Sequence, residues 1–114
     1  MAEYDEVLAP PAITITLDVT DNNREITYAV NQPDFDGFKV KAKRKQTVSW
    51  TSQYAFSVSF LHTPFTQATF VGAGGAVVGD TVRSKTGSGS YKFTVTLFTG
   101  AGTPLIDDPE IYVE

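Results

Sequence analysis

Cysteine is absent from the 114 residues, and methionine, tryptophan and histidine occur once each. Without cysteine there can be no disulfide, iron–sulfur cluster, zinc ribbon or thiol nucleophile. Helical patterning is missing as well, since no ten-residue window carries apolar residues at i, i+3, i+4 and i+7. No apolar run approaches the ~20 residues that a membrane-spanning helix needs, so no membrane partner is expected. The opening Met1-Ala-Glu-Tyr-Asp-Glu-Val is acidic and lacks an apolar stretch, so it does not read as a signal peptide. A cytoplasmic protein and an exported, processed one both fit. Basic residues are few, nine against thirteen acidic for a net charge of −4, which argues against a general nucleic-acid binder.

What is present repeats with a period of two. Ile13, Ile15, Leu17 and Val19 alternate with polar residues, as do Ile26, Tyr28 and Val30. The same holds for Phe38, Val40 and Ala42, for Val48 and Trp50, and for Phe56, Val58 and Phe60. Tyr91, Phe93, Val95 and Leu97 form a long run, and Ile111 and Val113 close the series. Successive side chains of a strand point to opposite faces, so each run buries one face and wets the other. That pattern belongs to antiparallel sheets solvated on one side. Asp21-Asn22-Asn23, Pro33–Gly37 and Gly87-Ser88-Gly89 supply turn chemistry between the runs. Residues 62–80 are the least regular, with one short strand expected near Thr69–Val71 and a Gly-rich loop after it. The expected fold is all-β, an antiparallel Greek-key β-sandwich of about seven or eight strands. It forms one domain over residues 12–114, behind a flexible lead-in at 1–11.

Four segments in order carry a family resemblance. Thr47-Val-Ser-Trp50, Phe56-Ser-Val-Ser-Phe60, Gly89-Ser-Tyr-Lys-Phe-Thr-Val95 and Asp108-Pro-Glu-Ile-Tyr-Val113 resemble the V-x-W, H-x-V-x-F, G-x-Y-x-F-x-C and closing strands of a cupredoxin domain. The resemblance implies that fold and also locates the family's copper ligands. The two histidine positions fall on Phe56 and Phe98, and the cysteine position falls on Val95. The methionine would come from Gly100–Pro104, which has none. Blue copper needs a thiolate and two imidazoles, so the resemblance implies the fold without the metal. Phe56, Val95 and Phe98 are then expected to form an apolar plug where copper would sit.

Other constellations read as structure before chemistry. His62 is alone, and imidazole metal sites or triads need partners. Lys39, Lys41, Lys43 and Lys45 alternate and are expected to share one strand face, with Arg44 behind them. This basic segment could dock an acidic partner, an anionic polymer or another copy's acidic rim, or simply guard an edge strand. Asp34-Phe-Asp36-Gly37, Asp18 with Asp21, and Asp107-Asp108 suit turns better than calcium. Carboxylate pairs for glycoside hydrolysis lack neighbouring aromatics. Gly72–Gly79 lacks the Lys-Ser/Thr of a phosphate loop. Trp50, Phe56, Phe60 and Tyr91 are expected in the core, and Phe35 and Tyr54 in turns as exposed aromatics. No catalytic residue, metal ligand or cofactor is assigned. The functional expectation is a non-enzymatic interaction or structural module of bacterial type, binding a protein partner or itself. The alternative is a carbohydrate- or cell-surface-binding module that would use Phe35 and Tyr54 on a glycan.

Overall fold

The computed structural model describes residues 11–22, 24–31, 39–100 and 102–114. Ten strands follow one another: β1 (Ile13–Val19), β2 (Ile26–Val30), β3 (Lys39–Ala42), β4 (Thr47–Ser52), β5 (Ala55–Phe60), β6 (Thr69–Gly72), β7 (Val77–Thr81), β8 (Gly89–Phe98), β9 (Leu105–Asp107) and β10 (Glu110–Val113). They form two sheets, one ordered β2-β1-β4-β7 and the other β3-β10-β8-β5-β6, with β9 also paired to β8. Trp50 of the first sheet packs on Phe60 and Phe93 of the second, so the sheets face each other as a sandwich.

The all-β sandwich agrees with the alternation, and the short strand near Thr69 is β6. Two further strands were not read from the sequence. β7 carries Val-Val-Gly-Asp-Thr, where glycine hides the period, and β9 is only three residues long. The sheets are also mixed and not wholly antiparallel, since β1 pairs with β4 and β10 with β3 in parallel. Alternation records which face of a strand is wet. It does not record the direction of the neighbour.

Strand directions give the sandwich two distinct ends. The lower end holds the β3–β4 turn (43–46), the β5–β6 loop (61–68), the β7–β8 loop (82–88) and Glu114. The upper end holds the β1–β2 turn, the β6–β7 turn and the residues after β8.

Packing in the lower half is aromatic. Trp50 is fully buried, with ring centroids 6.1 Å from Phe60, 5.8 Å from Phe65, 5.2 Å from Phe70 and 5.6 Å from Phe93. Most of these pairs meet edge to face, the geometry favoured by the ring quadrupole. Phe65 enters from the irregular β5–β6 loop, which the sequence did not mark as core. A local turn holds it there, with the Phe65 N–H donating to Thr63 Oγ1 and Thr63 Oγ1 donating to Gln67 O. Higher up the core is filled by Leu17, Leu97, Val58 and Phe56. At Gly72 an added Cβ would lie 2.5 Å from the Phe56 ring, so only glycine lets that ring lie against β6. Tyr91, expected in the core, is half-buried at its rim and donates its hydroxyl to Gly87 O at 2.6 Å.

Phe65→Ala should cost about 3–5 kcal/mol of unfolding free energy, the usual range for removing a buried aromatic. Urea unfolding followed by Trp50 fluorescence measures it. A loss near zero would mean that the loop does not close the core.

Candidate functional site

Where the two sheets diverge, one long side of the sandwich presents a cleft of about 510 Å³. It runs between β2, an edge of the first sheet, and β9 of the second. Ile26, Tyr28, Leu105 and Ile106 supply apolar surface, and Arg24, Glu25 and Asp107 supply charge. Ile26 and Tyr28 come from the alternation that turns every second residue of β2 toward the other sheet. Across the cleft the Tyr28 hydroxyl donates to Asp107 Oδ2 at 2.7 Å, pinning one sheet to the other. Burial, and then the Asp107 carboxylate that accepts this bond, push the Tyr28 phenol far above its ordinary value. It therefore stays protonated and acts as a donor.

The main chain along this cleft has a definite polarity. In the β1–β2 ladder, Thr20 N–H donates to Glu25 O and Asn31 N–H to Thr14 O. Paired residues in antiparallel strands alternate between bonded and non-bonded positions. Thr27 and Ala29, opposite Asp18 and Thr16, are therefore the bonded ones. Ile26 and Tyr28 turn their N–H and C=O away from β1, toward the outer edge. The same argument applies to β9. Phe93 N–H donates to Pro109 O, so Ile106, opposite Thr96, also directs its backbone outward.

The basic segment is rearranged relative to expectation. Only Lys39 and Lys41 lie on β3, which is an edge strand, and Lys39 Nζ stands 5.6 Å from the Tyr112 ring centroid. Lys43 and Lys45 do not share that face, because the strand ends at Ala42. Gln46 closes the turn through Lys43 O and takes the Lys43 N–H on its own side chain, while Lys45 adopts a left-handed φ of 71°. Arg44 is not behind the strand either. Its guanidinium donates to Thr86 O, Ser88 Oγ and Glu114 O. Lys45 N–H also donates to Val82 O, so the β3–β4 turn is laced to the β7–β8 loop, which carries Arg83 and Lys85.

Phe35 lies outside the described residues. Tyr54, expected as an exposed loop aromatic, is half-buried against the core, with its N–H donating to Ser52 Oγ. Among the described residues, the exposed large apolar side chains are instead Leu61, Val71, Val77, Phe98, Ile106 and Tyr112. Phe56 and Val95 lie buried on the same inner face of adjacent strands, but Phe98 is 47% exposed. Positions 95 and 98 differ by an odd number, so one strand sends them to opposite faces. The three-residue plug is therefore not formed.

His62 is exposed. Among the described residues no three His, Asp or Glu side chains gather as metal ligands. The acidic turns bond to their own backbone, Asp18 Oδ1 accepting from Val19 N–H and Asp107 Oδ1 from Asp108 N–H. Asp80 accepts from Thr66 at both N–H and Oγ1. Partial burial alone would raise its pKa, but the hydrogen bonds from Thr66, Thr81 and Gln67 more than offset this and lower it. No family model matches the chain, and no curated protein is similar to it.

Replacing Tyr28 with Phe should cost about 1.5–3 kcal/mol at neutral pH, the scale of one hydrogen bond to a carboxylate. The alkaline limb gives a second readout. Tyr28 keeps its proton in the folded state while the unfolded chain loses one near pH ~10, so the wild-type advantage is full below that pH and falls above it. The difference between wild type and Tyr28→Phe in urea unfolding should therefore shrink from pH 9 to 11. A constant difference would contradict the assigned bond.

Proposed function

We propose that this domain is a non-enzymatic interaction module that accepts an extended polypeptide strand along β2, with side chains of the guest entering the cleft toward β9. The observation that carries the reading is the alternation in the β1–β2 ladder, which aims the main-chain groups of Ile26 and Tyr28 at the outer edge. A guest strand gains main-chain hydrogen bonds there, and its alternate side chains gain apolar contact with Ile26 and Leu105. Tyr28 and Asp107 favour binding over catalysis, because each is already committed to the other across the sheets. The other long sides are less suited to pairing. β3 carries Lys39 and Lys41, which deter strand addition, and the β5–β6 loop reaches β7 through the Thr66–Asp80 bonds. The cupredoxin-like resemblance belongs to this reading as a statement of fold alone.

Selection of displayed ten-residue peptides on the immobilised domain tests this. The expected sequences alternate apolar and polar residues. Their affinity should fall at least about tenfold, roughly 1.4 kcal/mol, when Ile26→Pro removes one outward N–H and leaves the bonds to β1 intact. Ile106→Lys, at a position 67% exposed, should weaken binding with little change in stability. Failure to enrich any peptide, or binding indifferent to both substitutions, would contradict the proposal.

A further inference from the structure

The lower end of the sandwich gathers positive charge from two places in the sequence, in excess of the Asp80 and Glu114 carboxylates that also lie there. Lys43, Arg44 and Lys45 lie on the β3–β4 turn, and Arg83 and Lys85 on the β7–β8 loop. Hydrogen bonds hold the two together: Lys45 N–H to Val82 O, Val82 N–H to Gln46 O, and the Arg44 guanidinium to Thr86 O. Arg83 is steadied in turn by a bond from Nη2 to Thr63 O. An open depression of about 440 Å³ lies over Arg83, Ser84 and Lys85. Among the described residues, Lys43, Lys45 and Lys85 form no ion pair.

The opposite half has the opposite sign. Asp18, Asp21 and Glu25 surround the β1–β2 turn, with Asp107 and Asp108 beside them on the second sheet and Arg24 as the basic residue among them. A chain of net charge −4 repels long polyanions at a distance. Arranged in two poles, however, it attracts another copy of itself when the basic end faces the acidic end.

We infer that this chain associates head to tail, the basic lower end of one copy docking on the Asp18–Glu25 end of the next. The contact is heterologous, joining two different surfaces, so it leaves a free pole at each end and propagates into open chains. It rests on charges largely in contact with water, and salt controls it. The screening length falls from about 30 Å at about 0.01 M salt to about 8 Å at 0.15 M. The proposal does not depend on the strand-accepting cleft.

Two variants separate the poles. Lys43→Glu with Lys45→Glu and Lys85→Glu reverses the basic end and spares Arg44, which has a structural role. Asp21→Lys with Glu25→Lys cancels the negative charge of the acidic end and leaves the Thr20–Glu25 main-chain bond in place. Sedimentation velocity at low salt should show the wild type as a concentration-dependent series that collapses to monomer in high salt. Each variant alone should be monomeric, because neither then has a basic end and an acidic end to bring together. Mixed, the two should form a capped 1:1 pair and nothing larger. A wild type that stays monomeric at low salt, a variant that assembles as the wild type does, or a mixture that does not pair would each overturn the inference. Circular dichroism of both variants separates loss of contact from loss of fold. A monomeric wild type that binds heparin through the lysine cluster would assign the pole to a polyanion, which also overturns it.

Discussion

The contact between the sheets on which the rest depends is off-centre, the packing of phenylalanines around Trp50. Trp50 stands on β4, and four Phe rings reach it from β5, β6, β8 and the β5–β6 loop. These contacts concentrate in the lower half and away from β2. Buried aromatic area is the largest stabilising contribution in a domain of this size. The lower end is consequently rigid enough to position a cluster of like charges. The far long side lacks such phenylalanines, and there Ile26, Tyr28 and Leu105 pack at the margin of the core while Tyr28 bonds Asp107. Cleft and charged pole thus follow from the same uneven distribution of apolar bulk.

Polar groups in the sandwich are used mainly to finish strands and turns. Gln46 is buried, and its side chain bonds Pro11 O and Lys43 N–H, tying the start of β1 to the β3–β4 turn. Ser52 is buried and donates to Leu17 O, linking the upper ends of the parallel pair. The exception is Trp50 Nε1, which is buried without a hydrogen-bond partner among the described residues. Four phenylalanine rings surround the indole.

The alternation of Ile13–Val19, Phe56–Phe60 and Tyr91–Leu97 located strands and their buried faces, because period two is a local property of the chain. Whatever depended on neighbours was not legible. Nothing in Ile26-Thr-Tyr-Ala-Val30 says that β2 ends a sheet, so the outward main chain of Ile26 and Tyr28 emerged only with the topology. Lys43 and Lys45 kept the period of a strand although Gln46 closes a turn through them, so the pattern extended past the strand's true end. Arg83 and Lys85 lie about forty residues from that turn and join it only in space. The resemblance grouped Phe56, Val95 and Phe98, whereas strand parity puts Phe98 on the outer face.

The central claim is that β2 offers the main chain of Ile26 and Tyr28 to an incoming strand. Amide hydrogen exchange followed by NMR tests it on the free domain. The account predicts slow exchange for Thr27 and Ala29, whose N–H groups bond to β1, and exchange at least about a hundredfold faster for Ile26 and Tyr28. Equal protection along all four residues would mean that this edge is already paired, and would contradict it.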